Sequence, residues 1–382
     1  MRDSLARELL AKVTDWTAER LTKERLDLQL LSEYKYDEYQ QFVPGMRFIE
    51  SLALWLEQFK DSGKQEVAYN FVKQKLIFIS TAELNHLIRM AYPDVIKPYL
   101  IPNVAKELGI DEFLIKKIVT NVKFKILKRK CLFLGLSDGA RIDLFRRFSG
   151  VLNHEQVYPT YLISKDKANE LKRELNTDLQ EITGIPSSNE KYKIVFLMDD
   201  FSASGISYIR EENPHEFEGK IKKFLEQVIS KKEKETEKKN DDYEFLKELF
   251  DMPNLKICII LYIATKNALK RIKDISNELL KDSGISLDIF AIQELDDKLN
   301  LTETDLGDFI ALMKKNYDDS ILTKQYKKGK HEKPYLGFDE CSLPLVLSHN
   351  CPNNSLPIIW HENNLKEIRA LFPRLQRYKV IT

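Results

Sequence analysis

The hydrophobic pattern changes character about a third of the way along the chain. Before residue 128, apolar residues recur three or four apart: Leu5, Leu9, Leu10, Val13 and Trp16, then Phe48, Leu52, Trp55, Leu56 and Phe59. That is the period of an amphipathic helix. Ser80 and Glu83 stand three apart ahead of Leu84, Leu87, Ile88 and Ala91, a capping box that marks a helix start. From Arg129 onward the apolar residues come in short strand-like runs: Cys131–Leu136, Val157–Ile163, Ile194–Met198, Ile257–Ala264 and Leu287–Gln293. Helical spacing returns between them, from about Lys167 to Ile182 and around Ala268 to Ile272. Alternation of this kind predicts an α/β domain, a mostly parallel sheet flanked by helices on both faces. Right-handed crossovers then gather the carboxyl ends of the strands on one edge, where open sheets bind ligands. The expected division is a helical N-terminal domain, 1–127, without a motif that carries chemistry, and a sheet domain, 128–382.

One of those runs empties into a loop with readable chemistry. Ile194 to Met198 is closed abruptly by Asp199 and Asp200, then Phe201, Ser202, Ala203, Ser204, Gly205, Ile206, Ser207 and Tyr208. Small residues and Gly205 let the backbone fold tightly and aim several N–H groups at one point, a nest that prefers an anion such as phosphate. Ser204 and Ser207 add hydroxyl donors. Asp199 and Asp200 repel phosphate and suit hydroxyl groups, or a Mg2+ ion held through water. A sugar phosphate offers both halves. The plainer alternative is a strand followed by an acidic surface turn.

Composition narrows the classes of function. The 382 residues are 43% hydrophobic and 31% charged with a formal net charge of +1, so no bulk field draws the chain to nucleic acid or membrane. Met1 to Lys12 is charged throughout, unlike a signal peptide, and no apolar stretch approaches membrane-span length. Cys131, Cys258, Cys341 and Cys351 lack any C-x-x-C spacing, which suits buried thiols in a reducing cytoplasm. Cys341 and Cys351 with His349 and His361 fit no common closed zinc motif. Ser230–Tyr243 is a charge run of the kind found in solvated loops. Thr323–Lys333 is basic with a tyrosine interleaved, which suits contact with nucleic acid or a mobile loop closing over pyrophosphate. Leu343–Leu347 is strand-like, and a dense polar turn follows it from Ser348 to Pro357. Its Asn and His side chains suit reading a nucleobase edge; a self-bonded turn between edge strands is the alternative.

The run from Asp199 to Ser207 resembles the phosphoribosyl pyrophosphate (PRPP) motif of type I phosphoribosyltransferases. Asp199 and Asp200 match the pair that grips the ribose 2' and 3' hydroxyls, Phe201 the apolar position, and Ser204 to Ser207 the loop around the 5'-phosphate. Adding the polar turn at Ser348–Pro357, Trp360 and Leu371-Phe372-Pro373-Arg374, the chain is similar to a divergent bacterial phosphoribosyltransferase-like family of conflict and anti-phage loci. That family includes the effector accompanying type III retrons.

The resemblance implies a type I phosphoribosyltransferase-like fold and a pentosyl transfer in which Mg2+ and PRPP bind, pyrophosphate leaves C1, and a nitrogen nucleophile attacks through an oxocarbenium-like state. Asp199 and Asp200 would orient the ribose and hold the metal, and the loop Ser202, Ala203, Ser204, Gly205, Ile206, Ser207 would anchor the 5'-phosphate. A second, pyrophosphate-holding loop follows the first sheet strand in such enzymes. Ser137-Asp138-Gly139-Ala140-Arg141 is similar in position and kind: Gly139 permits the tight turn and Arg141 supplies a fork for a phosphate. Alternatively Arg141 faces solvent or pairs with Asp143. Arg146 and Arg147 follow and suit either account. His349 is the candidate general base. The functional expectation is a toxic effector in a retron-type defence system; the alternative is a non-catalytic nucleotide-sensing or scaffold protein acting on partners through the same pocket. Expected partners are PRPP or a nucleotide and, in an oligomer or complex, a winged-helix protein and a reverse transcriptase with its nucleic acid. One departure stands out: after Tyr208 the chain runs Ile209 to Glu216 before a helix near Lys220, where relatives enter a helix directly.

Overall fold

The computed structural model describes residues 3–214, 216–228, 244–281 and 283–375; the charge run at 230–243 lies outside them. The strands are β1 (Ile77–Ile79), β2 (Cys131–Gly135), β3 (Val157–Tyr158), β4 (Ile194–Ser202), β5 (Arg210–Asn213), β6 (Glu216–Glu218), β7 (Lys256–Thr265), β8 (Ser286–Leu295) and β9 (Leu345–Leu347). Five of them form one parallel sheet in the order β3-β2-β4-β7-β8. The α/β sheet expected from the apolar runs is present, with the motif strand β4 at its centre.

β4 is uniformly apolar over Ile194–Met198 because both its faces are covered. On one face Val195 and Leu197, with Leu132, Leu134, Ile257 and Ile259, meet Leu171, Leu175 and Leu179 of the helix Lys165–Thr183. Ser164 starts that helix by accepting from Lys167 N, and Gly184 ends it in the left-handed region. On the other face Phe196 stacks on Phe133 with ring centroids 5.0 Å apart. Tyr99, from the helix Lys97–Leu108, meets Phe196 edge-on, and Phe145 packs on Phe133.

The run Val157–Ile163 yields only a two-residue strand. Pro159 has no N–H to continue a ladder, so β3 stops before it. The end of β2 passes so close to Pro159 that a Cβ on Gly135 would lie 2.6 Å from its carbonyl oxygen.

The chain divides into two compact units, 1–84 with 297–382, and 85–296. By compactness the helices Lys97–Leu108 and Val122–Arg129 go with the sheet, as the Tyr99 contact requires. In the other unit, helices Asp3–Thr14, Ala18–Tyr34, Phe48–Glu57 and Ser62–Gln74 accompany β1 and β9, which pair in parallel with Ile77 opposite Leu345. Phe48 packs against Phe372, and the Trp55 indole donates to the Ile358 carbonyl at 2.8 Å. The Ser80–Glu83 capping box forms in both directions, at 3.1 and 2.7 Å. Tyr326, interleaved in the basic stretch, is a core residue whose hydroxyl donates to Pro334, so its ring is no stacking platform. Cys131, Cys258, Cys341 and Cys351 are all buried thiols. Among the described residues no helix is long and apolar enough to cross a membrane.

Candidate functional site

From β2 the chain moves to β3 on one side and returns to β4 on the other, so the strand order reverses between β2 and β4. The loops leaving these two strands diverge there, which is where open α/β sheets form a ligand crevice. Both loops that the sequence singles out lie at this point.

The loop after β2 is a short turn, Asp138–Ala140, held from outside: the Tyr262 hydroxyl on β7 donates to the Ala140 carbonyl at 2.8 Å. Arg141 follows with φ 43° and ψ 43°, a left-handed conformation that costs a residue with a Cβ about 1–2 kcal/mol. Its carbonyl accepts from Leu144 N at 2.9 Å and starts the helix Ile142–Ser149. The Arg141 guanidinium makes no ion pair among the described residues. Gly139 packs directly on Asp200, where an added Cβ would lie 2.6 Å from the carboxyl carbon.

The loop after β4 is clamped by the helix Lys266–Leu280. Thr265 donates to the Ala203 carbonyl at 2.6 Å and also caps that helix, and the Arg271 guanidinium donates to the Ser204 carbonyl at 2.8 Å. Gly205 takes φ 76°, which glycine adopts without strain, and a Cβ there would also press on Ala268 and Ile272 at 3.1 Å. Ser202 Oγ accepts from Gly205 N, and Ser204 Oγ from Ile206 N. Ser202 to Ile206 are buried and Ser207 is exposed.

The two carboxylates have different surroundings. Asp200 is half-buried beside Gly139, with Oδ1 accepting from Phe201 N at 2.8 Å. Asp199 is 1% exposed. Its Oδ1 accepts from the Ser137 hydroxyl and from Asp200 N at 3.1 Å. Its Oδ2 lies 2.8 Å from the Tyr208 hydroxyl and 2.6 Å from Lys220 Nζ. Burial pushes the Asp199 carboxyl above its ordinary range, with Asp200 adding to the rise and the Lys220 ammonium and Ser137 hydroxyl opposing it. Burial, with Asp199 and Asp200 behind it, also holds the Tyr262 phenol well above its usual range, so Tyr262 stays a neutral donor.

Tyr208 and Lys220 did not emerge from the sequence. The departure after Tyr208 is a small antiparallel hairpin, β5 with β6, inserted before the helix Lys220–Val228. Gly219, at φ 123°, closes it against the backbone of Tyr208, and Lys220 N and Ile221 N donate to the carbonyls of Ser207 and Tyr208. That closure delivers the Lys220 side chain to Asp199, 21 residues away, and only the hairpin's geometry reveals it. Tyr208 ended the motif without a role, and Tyr262 sat inside an apolar run that reads as core.

His349 lies in the other compact unit, just after β9, where its carbonyl accepts from the Gln41 side chain at 2.8 Å. Around it Ser348, Asn354 and Ser355 are buried, and Asn354 donates to the Phe338 carbonyl at 3.0 Å. Arg146 is half-buried with an Nε that has no hydrogen-bond partner among the described residues. No group of three or more His, Cys, Asp or Glu among the described residues converges as a metal cage. A Mg2+ ion fits this donor set only in the manner usual for it, on one or two carboxylates with ligand phosphate and water completing the shell.

No curated protein and no solved structure matches the chain. A model of the PRTase-CE family matches residues 52–374, most of the chain with both crevice loops included, and the chain belongs to this phosphoribosyltransferase-like family.

Proposed function

We propose that the crevice between β2 and β4 binds a 5-phosphorylated ribose, PRPP or a nucleotide, together with Mg2+, and that the protein is a phosphoribosyltransferase acting as a toxic effector in a retron-type anti-phage system. The observation that carries the ligand reading is the buried Ser202–Ile206 turn at a sheet switch point, flanked by half-buried Asp200 and by Arg141 without an ion pair. The 5'-phosphate sits in the nest of backbone N–H groups, with Ser204 and Ser207 as hydroxyl donors. Asp200 faces the ribose diol, with Asp199 behind it. Arg141, Ser137 and Gly139 form the cradle for the pyrophosphate, where the guanidinium meets developing charge. Asp200, with Asp199 held behind it by protein donors, is the carboxylate that would hold Mg2+, which when bound neutralises charge on the pyrophosphate. In the transfer the C1–O bond breaks with its electron pair leaving on pyrophosphate, and a nitrogen lone pair forms the new C1–N bond. The protein's part is position and electrostatics.

The defence role rests on the similarity of the motif and of the Ser348–Arg374 segment to the conflict-locus family, and the protein partners are those of such a locus. One observation favours the second reading, a nucleotide sensor without turnover: the two crevice loops, Ser137–Arg141 and Asp199–Ser207, carry carboxylates, hydroxyls and a guanidinium but no histidine. Calorimetric titration of PRPP with Mg2+, followed by an assay for released pyrophosphate over a panel of bases, separates the two. Binding with release supports the transferase, binding without release the sensor, and absence of binding removes both.

A further inference from the structure

We infer that Lys220 is a positioning residue of this site: through Asp199 it fixes the Ser137–Arg141 loop against the loop after β4, and Asp199 is an internal pin rather than a contact of the ligand. An ionised carboxylate offers about four lone-pair positions. Those of Asp199 meet the Ser137 hydroxyl, Asp200 N, the Tyr208 hydroxyl and Lys220 Nζ. The donors come from the β2 loop, from β4, from the end of the phosphate turn, and from the first residue of the helix behind the hairpin. One carboxylate thus ties β4 to the β2 loop, to the end of the phosphate turn and to the helix behind the hairpin. With Asp199 1% exposed and its oxygens engaged, no position remains for a ribose hydroxyl. Lys220 supplies the only ammonium in that set, 4.9 Å from the Tyr208 ring centroid and with its side chain 22% exposed. Without it a buried carboxylate faces Asp200 with no compensating charge, and relief comes by opening the loops it joins.

The effect on the ligand rests on the proposal that the crevice takes PRPP, so the test has one arm that needs no ligand. Hydrogen exchange of the Ser137–Arg141 amides is compared in the wild type, Lys220→Met, Lys220→Arg and the double variant Lys220→Met with Asp199→Asn. Exchange in Lys220→Met should be faster by about ten-fold, the size of a mid-range pairwise coupling, and return most of the way in the other two variants. Unchanged exchange in Lys220→Met, or additive effects in the double variant, overturns the inference. In the second arm PRPP with Mg2+ is titrated at several ionic strengths. Lys220→Met should bind more weakly with an unchanged salt dependence, since a positioning residue adds no charge contact of its own. A flattened salt dependence would make Lys220 a phosphate ligand instead. If the wild type itself fails to bind PRPP, the ligand reading falls while the exchange arm still decides the role of Lys220.

Discussion

The loops after β2 and β4 and the loop after β9 are built from the same materials, short polar side chains with glycine or proline between apolar runs. Asp199, Ser202 and Ser204 bond inside the fold as the groups after β9 do, and the difference lies in Ser207, Asp200 and Arg141. After β9, Asn354 donates to the Phe338 carbonyl, Asn350 accepts from Leu375 N at 3.1 Å, Ser355 donates to the Leu345 carbonyl, and Ser348 Oγ meets Thr81 Oγ1 at 3.0 Å. These bonds stay inside one compact unit, and they make the loop a rigid scaffold. Beside β4, Ser207 and Asp200 keep exposure, Arg141 has no ion pair among the described residues, and its backbone is held in a costly conformation. Polar density marks a loop. What marks a site is polar capacity that the fold leaves open, together with strain that the surroundings enforce.

The largest expected effect falls on the crevice. Gly139→Ala drives a methyl group into Asp200 and should weaken PRPP binding by about ten- to a hundred-fold, as an overpacked contact costing about 1–3 kcal/mol would. Calorimetry checks it, and an unchanged affinity would separate Asp200 from the ligand. Next, Asn354→Ala orphans a buried carbonyl and should lower unfolding free energy by about 1–3 kcal/mol in urea titration while leaving PRPP affinity unchanged. Loss of affinity in the still-folded variant would make the Ser348–Pro357 loop part of the site and erase the contrast. Gly205→Ala should cost about 1–2 kcal/mol for its left-handed φ, read as a lower midpoint.

The smallest effect concerns pH. Burial raises the Asp199 carboxyl, so between the ordinary value of about 4 and its raised one the folded chain keeps a proton that the unfolded chain has lost. Stability from this group is therefore lost as pH rises through that window, and the wild type should lose ground to Asp199→Asn from about pH 4 upward. Urea midpoints of both proteins over that range decide it; a wild type that gains on the variant would show Lys220 prevailing over burial.

Much of the sheet was legible because its strands are apolar on both faces, a pattern no surface segment imitates. β1 was not, since Ile77-Phe78-Ile79 is three residues long and its partner β9 lies 268 positions away at Leu345. Asp199, Asp200, Gly139 and Gly205 stood out because their chemistry is local: two adjacent acids, and glycines where a Cβ does not fit. Lys220, Tyr208 and Tyr262 stayed hidden because each acts at a distance, through the β5–β6 hairpin or across the sheet. The difference between Asp199 and Asp200 was equally hidden, for adjacent residues on a strand point to opposite sides and only the packed fold says which side is wet.

The central claim is that the open polar capacity beside β4 binds a phosphorylated ribose. Its most direct test is calorimetric titration of PRPP with Mg2+ into the wild type, Asp200→Ala and Asn354→Ala. The account predicts saturable binding by the wild type, loss in Asp200→Ala and retention in Asn354→Ala; no heat from the wild type, or equal binding by all three proteins, would contradict it.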